Sequence, residues 1–494
     1  MKSHKLITAG LLAASLASMA SAALTGTVVN VVGSSAFRSA VINAQISQLS
    51  HVGANLGGGI AETASIGASI GSAGISLVHG YDAVGNEVVY RNHFTGSAAG
   101  VYDLSAGNPV SQLPLTVVPV VGNVNLAAGS DTDTPAPTVS FTDVQAADAA
   151  AALSTAIGGG TFASAITSAG LVNAGTVANK DTGVAAATFK WVLGNSAVAP
   201  ANWASSVQPD LVSPKVPYNL TQQNAATLIA SGFINLATIT GYSADATSYV
   251  VLVGRNEDSG SRIIYQAESL GGGTLGNANA FGAATNQFML KQNGVAYPTG
   301  PSNSTGSYPT IATVAGADGI TGFKVWPRLQ ALPANTGWTV STISGLTWKV
   351  NGHSGYNGGG DVKAILSTQN PVTLAGHFTE AGGGASGLPA GATAVYFVSC
   401  LGSSDAGGVT GGTILPYNGV TYSDNAVFEG QYSLYTFEHQ YYKPALAGIE
   451  KVAADGLANT LLGFTSAQIG AAGLDLTDFL NGLNRGAAAG GRIQ

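Results

Sequence analysis

Cysteine is almost missing: Cys400 stands alone among 494 residues. One cysteine excludes an intramolecular disulfide framework and any multi-cysteine zinc or iron–sulfur site. Charge is scarce as well. Only 9% of residues are charged, against roughly 25% in an ordinary soluble domain. Eighteen basic and 25 acidic residues give a net charge of −7, so no basic field exists to attract nucleic acid. The seven histidines (4, 51, 79, 93, 353, 377 and 439) never fall three to five residues apart. Local His spacing for a metal is therefore missing. No Gly-Lys dipeptide occurs, which removes a Walker phosphate loop.

Apolar residues make up 45% of the chain and glycine contributes 68 positions, so the sequence folds and is not disordered. The length suits two or three average domains. Gly, Ala, Ser and Thr take the places of Lys and Glu, giving a neutral, hydroxyl-rich surface that suits an extracytoplasmic protein. Residues 1–22 read as a secretory signal peptide. Lys2 and Lys5 give a positive start, Leu6 to Leu16 an apolar middle and Ala20-Ser21-Ala22 a cleavage site. That run and all later ones are short of the ~20 residues a membrane span needs. The expected mature protein is soluble and periplasmic, with no lipid-bearing cysteine after the signal.

Gly26 to Val32 is rich in β-branched residues, stops at Gly33-Ser34-Ser35, and is followed by helical apolar spacing over Ala36 to Leu49. Strand, tight turn and helix open an α/β fold. Tyr249 to Gly254, Arg255 to Ser261 and Arg262 to Leu270 repeat the order. Helices are also expected over Asp143 to Leu153, Leu220 to Ala230 and Pro444 to Leu457, and around Leu474 to Leu483. Strands are expected at Glu87 to Tyr90 and Tyr432 to Phe437. Stretches 105–138, 267–320 and 351–394 read as loops or short strands inserted on the core. The glycine triplets, including 358–360, keep no fixed period.

Three turns carry Ser and Gly: Gly33 to Phe37, Thr95 to Gly100, and Arg255 to Ser261. Free N–H groups at a helix start and its dipole favour an anion there. Ser hydroxyls add donors, and Arg offers a two-pronged fork for a tetrahedral oxyanion. Each turn alone reads as ordinary capping; three, one holding a scarce Arg, point to an anion cradle. Gly67-Ala68-Ser69-Ile70-Gly71 matches a hydrolase nucleophile elbow but sits in an Ala/Ser/Gly run. Asn219-Leu220-Thr221 and Asn303-Ser304-Thr305 fit a glycosylation acceptor. Cys400 reads as a buried, inert thiol. Tyr432, Tyr435, Phe437, Tyr441 and Tyr442 read as core packing, not a sugar platform. With no nucleophile–base pair or metal set in view, the chain does not read as an enzyme, and no cofactor is expected.

The order of these turns resembles the periplasmic phosphate-binding protein of the phosphate ABC transporter, a type 2 periplasmic-binding-protein family. The matching stretches are Gly33-Ser-Ser-Ala-Phe37, Gly96-Ser97-Ala98-Ala99-Gly100, Thr142-Asp143-Val144, Asn219-Leu-Thr221 through Asn235, Arg255-Asn-Glu-Asp-Ser-Gly-Ser261, Ala394 to Val398 and Gly430 to Phe437. The resemblance implies a two-lobed α/β fold that closes on phosphate at a hinge, with loop and strand insertions. It places lobe I at 23–145 plus 431–494 and lobe II at 146–430. It carries phosphate binding to Ala36, Phe37, Ser97, Asp143, Arg255, Ser259, Gly260 and Ser261. Asp143 would accept a proton from hydrogen phosphate and repel sulfate; as a plain residue it reads as a helix N-cap.

The sequence departs from the family pattern at Ala36, which brings no hydroxyl, and at Glu257 and Asp258, which add carboxylates beside the anion. The implied partners are inorganic phosphate and ABC permease subunits, with a monomeric state and no nucleic acid. The rival readings are a secreted structural or surface protein that keeps the fold without ligand transport, and a phosphate-ester hydrolase.

Overall fold

The computed structural model describes residues 23–49, 61–67, 69–154, 159–174, 183–194, 218–255, 259–271, 358–368, 372–373, 394–476 and 479. It also describes the backbone of four strands between 288 and 348. The strands that position the site are β1 (Thr27–Gly33), β2 (Glu62–Ile66), β3 (Ile75–Tyr81), β4 (Glu87–His93), β5 (Val139–Thr142), β6 (Ala185–Leu193), β7 (Phe233–Asn235), β8 (Ser248–Leu252), β9 (Ala394–Gly402) and β10 (Tyr435–Tyr442). The helices are α1 (Arg38–Leu49), α2 (Ser97–Ala106), α3 (Ala146–Ser154), α4 (Gly159–Ser168), α5 (Gln222–Ser231), α6 (Gly260–Leu270), α7 (Gly359–Thr368), α8 (Ser403–Gly407) and α9 (Gly448–Leu462).

The strands join in one mixed sheet, ordered β7-β8-β9-β6-β10-β5-β1-β4-β3-β2, with shorter strands at its margins. The chain is thus α/β, as expected. β1 runs parallel to β4 and β5, and β8 parallel to β9. Parallel neighbours need crossovers, which the helices supply. Two antiparallel strands form the seam. β10 gives Tyr435 to Glu438 to β6 and His439 to Tyr442 to β5. β6 gives its first half to β10 and Phe189 to Leu193 to β9.

Val29, Val31, Phe37, Val41, Tyr90, Phe141, Leu457 and Leu461 bury one core under α1 and α9. A second core under α2 to α6 holds Trp191, Tyr265, Tyr432 and Tyr435, with the Trp191 and Tyr265 rings 5.4 Å apart. Each such side chain contributes about 1.5–3 kcal/mol by leaving water. Gly33 is required where β1 ends: its φ is +120°, and a Cβ there would lie 1.8 Å from the Phe141 carbonyl oxygen. The Ser34 N–H then donates to that same oxygen at 2.8 Å. The carboxyl ends of β1, β5, β8 and β9 all lead into helix starts, the usual place for ligands in open α/β sheets.

Several elements differ from expectation. The helix expected from Asp143 starts at Ala146. Thr142 Oγ1 accepts the Val144 N–H at 3.2 Å and donates to the Val144 carbonyl at 2.9 Å, folding a turn first. Asp143 is therefore not an N-cap. The strand expected over Tyr432 to Phe437 runs instead through Tyr442. It is buried on both faces, so no polar alternation marks its register. The next helix begins at Gly448, after a turn at Lys443 to Leu446. Leu474 lies in a short strand, Gly473–Leu474, on β6, while 477–478 and 480–483 are outside the described residues. The stretch 351–394 contains α7.

Cys400 is buried, and burial, then the charge of Glu268, pushes its thiol well above the usual range. The five aromatic residues of the tail are all buried in the cores. No helix among the described residues is long and apolar enough to cross a membrane.

Candidate functional site

The first turn follows β1. Its Phe37 N–H reaches Ser34 Oγ at 3.4 Å, and its Phe37 ring is committed to the core under α1. Ala36 faces β9: a Cβ added to Gly402 would lie 3.2 Å from the Ala36 Cβ. The second turn is tied to the first, because the Gly96 N–H donates to the Gly33 carbonyl at 2.8 Å. Ser97 opens α2 there and is 2% exposed.

Asp143 leaves β5 beside these turns and is 1% exposed. Burial pushes its carboxyl up to about 6. A hydrogen bond from Ser97, one from its own backbone N–H and the charge of Arg255 hold it from rising further. At neutral pH the group is mostly ionised, an acceptor only.

The fourth piece comes from the other side of the seam. α6 starts after Ser259, whose side chain makes no cap bond. The first-turn N–H groups and the positive helix end thus face outward from the helix. A Cβ at Gly260 would stand 1.6 Å from Asp143 Oδ1, so only glycine lets the carboxylate rest against this helix start. Ser259 Oγ points to Ser261 Oγ at 3.4 Å.

Arg255, 4% exposed, lies three residues past β8, and its carbonyl accepts from Arg262 Nη1 at 3.2 Å. Arg255 Nη1 lies 3.5 Å from where a Gly359 Cβ would sit, and Asp405 Oδ2 only 2.0 Å from that point. Asp405 also faces Lys363 at 3.7 Å. Asn256, Glu257 and Asp258 are outside the described residues.

The folded chain therefore brings Ser97, Asp143 and Gly260 together directly, with Ser259 and Ser261 on the same helix start and Arg255 acting on Asp143 by charge. Ala36 and Phe37 adjoin through the Gly33–Gly96 bond. Sequence reasoning missed Gly359, Asp405 and Gly402, which come from β9, α7 and α8. The triplet at 358–360 was their only trace, since a glycine entering a helix marks close backbone approach. It also missed Glu438, a carboxylate set within an aromatic strand.

Other motifs resolve as structure. Ser69 comes three residues after the end of β2 and pairs its hydroxyl with Ser72 at 2.8 Å, on the exposed surface. Thr221 caps α5 by accepting the Asn224 N–H, and Asn219 accepts the Gly419 N–H at 2.8 Å. Asn303 lies outside the described residues.

No protein-family model matches the chain, and no curated protein does. Solved structures do. One is a candidate phosphate ABC transporter substrate-binding protein with bound phosphate from Clostridium perfringens. It is similar over 88% of this chain and 96% of that one, at 11% identity and a TM-score of 0.37. Another is PstS from Borrelia burgdorferi, over 90% and 95% of the two chains, at 10% identity and a TM-score of 0.30. Both similarities are distant.

Proposed function

We propose that this chain binds a tetrahedral oxyanion, inorganic phosphate, outside the cytoplasmic membrane and hands it to an ABC importer. The observation that carries the reading is Asp143: a buried carboxylate, bonded by Ser97 and set against the start of α6 beside Arg255. Neutral dipoles and hydroxyls with one guanidinium suit a dehydrated anion. The Asp143 carboxylate, an acceptor among those donors, suits an anion that carries a proton. In this reading Ala36, Phe37, Ser97 and Asp143 serve from lobe I (23–145 plus 431–494). Arg255, Ser259, Gly260 and Ser261 serve from lobe II (146–430). β6 and β10 are the hinge. Residues 1–22 direct export, and the protein works as a monomer with permease subunits.

Calorimetric titration with phosphate, sulfate and molybdate tests this. Phosphate binding is expected, weakened about thirtyfold or more by Arg255→Ala, since losing a charged two-pronged partner costs about 2–5 kcal/mol. No heat with any of the three anions, from folded protein, would favour the surface protein without a ligand.

A further inference from the structure

Glu438 is the least comfortable side chain among the described residues. It is 0% exposed, and neither carboxylate oxygen has a hydrogen-bond partner among the described residues. It lies on β10, next to His439, which pairs with Thr142 in the antiparallel register. The register thus brings Glu438 to the level of Asp143, whose Oδ1 also lacks a partner among the described residues.

We propose that Glu438 is a second specificity-determining acid of the oxyanion site, holding one proton in common with Asp143, so that the site admits an oxyanion bearing its own proton and rejects a fully ionised one. This rests on the oxyanion reading above. Two carboxylates in a dry site cannot both ionise at modest cost, so one keeps its proton. Burial first, and the charge of Asp143 second, hold the Glu438 carboxyl well above its ordinary range.

The one charge that acts on Glu438 itself is that of Asp143, while Arg255 acts on Asp143. Asp143 stands one residue past the end of β5, and Ala185 is the partner of Glu438 on β6; Lys190 lies at the far half of that strand, over the Tyr422 ring. The marginal strand Val172–Ala174 brings Asn173, which reaches His439 Nδ1 at 3.2 Å. Burial takes His439 down to about 4, so it is neutral. From α9, Lys451 and Asp455 pair with each other at the Tyr442 end.

The proton count then selects the ligand. Hydrogen phosphate offers its P–OH to Asp143 while Glu438 keeps its own proton, and nothing need be taken from solvent. Sulfate brings none, so a second proton must first be loaded on the pair. Once rising pH strips the shared proton, a second buried negative charge stands beside the anion and binding falls. Each proton so linked steepens the loss by up to about tenfold per pH unit.

The experiment has two arms on the full mature chain. Without ligand, the Glu438 carboxyl is titrated by carbon NMR in wild type and Asp143→Asn; its midpoint is expected to fall in the variant. With phosphate, affinity is followed from pH 6 to 10 in wild type and Glu438→Gln. The ligand's own ionisation is common to both and cancels, and the variant is expected to keep affinity at alkaline pH where wild type loses it. Glu438→Leu serves in place of Glu438→Gln if the latter does not fold. An unmoved midpoint, or superimposed pH profiles, would overturn the pairing. Absence of phosphate binding in wild type overturns the oxyanion reading and leaves the first arm to judge the shared proton.

Discussion

Two buried polar clusters sit on one sheet and are finished differently. Between α1, β3 and β4, Gln45 donates to Asn92 at 2.7 Å, Asn92 returns the bond at 2.9 Å and also reaches Ser76 at 3.2 Å. On β5 and β10 and just past the ends of β4 and β5, Ser140 Oγ, both Glu438 oxygens, Thr95 Oγ1 and Asp143 Oδ1 have no partner among the described residues. A buried polar group left unpaired costs about 1–3 kcal/mol. β4 alone belongs to both: it carries Asn92 of the closed network and leads to the unpartnered Thr95 three residues on. Open buried groups gathered near a helix start are what a ligand site requires before its ligand arrives.

The contrast breaks hardest at Gly260. Alanine is a better helix former than glycine by about 1 kcal/mol, so without the Asp143 contact Gly260→Ala should stabilise the protein. With that contact the new Cβ stands 1.6 Å from Oδ1, and either the carboxylate or the helix start must move. Overpacking of this kind costs about 1–3 kcal/mol. The expected result is a lower melting temperature and phosphate affinity reduced by about tenfold or more, of the order of one lost charge-assisted bond. A higher melting temperature with unchanged affinity would sink the close contact.

Asp143→Asn separates stability from selection. The folded-state carboxyl titrates near 6, above its ordinary 3.8, so the folded state holds its proton more tightly than the unfolded state. That stabilisation is complete below about 3.8 and is lost as pH rises through 6. At neutral pH the ionised group is thus a burden of up to about 3 kcal/mol, from roughly two pKa units at 1.36 kcal/mol each. Asparagine is expected to raise the ligand-free melting temperature at pH 7, by an amount that shrinks on acidification towards pH 4. It should also weaken phosphate and narrow the phosphate-to-sulfate ratio. Thermal scans across pH and competition titrations check the two halves. A variant that is no more stable at pH 7 than at pH 4, relative to wild type, would remove the buried-charge account.

Much of this was legible in the sequence where structure is local. The β-branched run ending at Gly33 and the Ser259-Gly260 helix start announce strand, turn and helix within a few residues, and both hold. What was hidden depends on distant approach. Glu438 reads as part of an aromatic strand until the register sets it beside Asp143. Asp405 and Gly359 meet Arg255 only because β9 pairs with β8. Asp143 reads as a cap because Asp is a common one; only the Thr142 turn, by delaying the helix to Ala146, frees it for another use.

The closed network gives the smallest effect on binding and the cleanest control. Asn92→Ala removes both bonds to Gln45 and leaves that fully buried amide with a donor and an acceptor unpaired. Asn92 lies on β4 and Ser76 on β3, and neither belongs to the turns that carry Ser97 and Asp143. The cost is expected at about 1–3 kcal/mol of folding free energy, with phosphate affinity and its pH dependence unchanged. Replacing both partners, Gln45→Leu with Asn92→Leu, should recover part of the loss, because no amide is then left unpaired and only the Ser76 hydroxyl still lacks its bond from Asn92. Denaturant melts give the stability and a phosphate titration gives the affinity. A double variant less stable than Asn92→Ala would mean the network does more than satisfy itself. A changed affinity in the single variant would mean that the two clusters are coupled through β4, and the division between a structural network and an open site would fail.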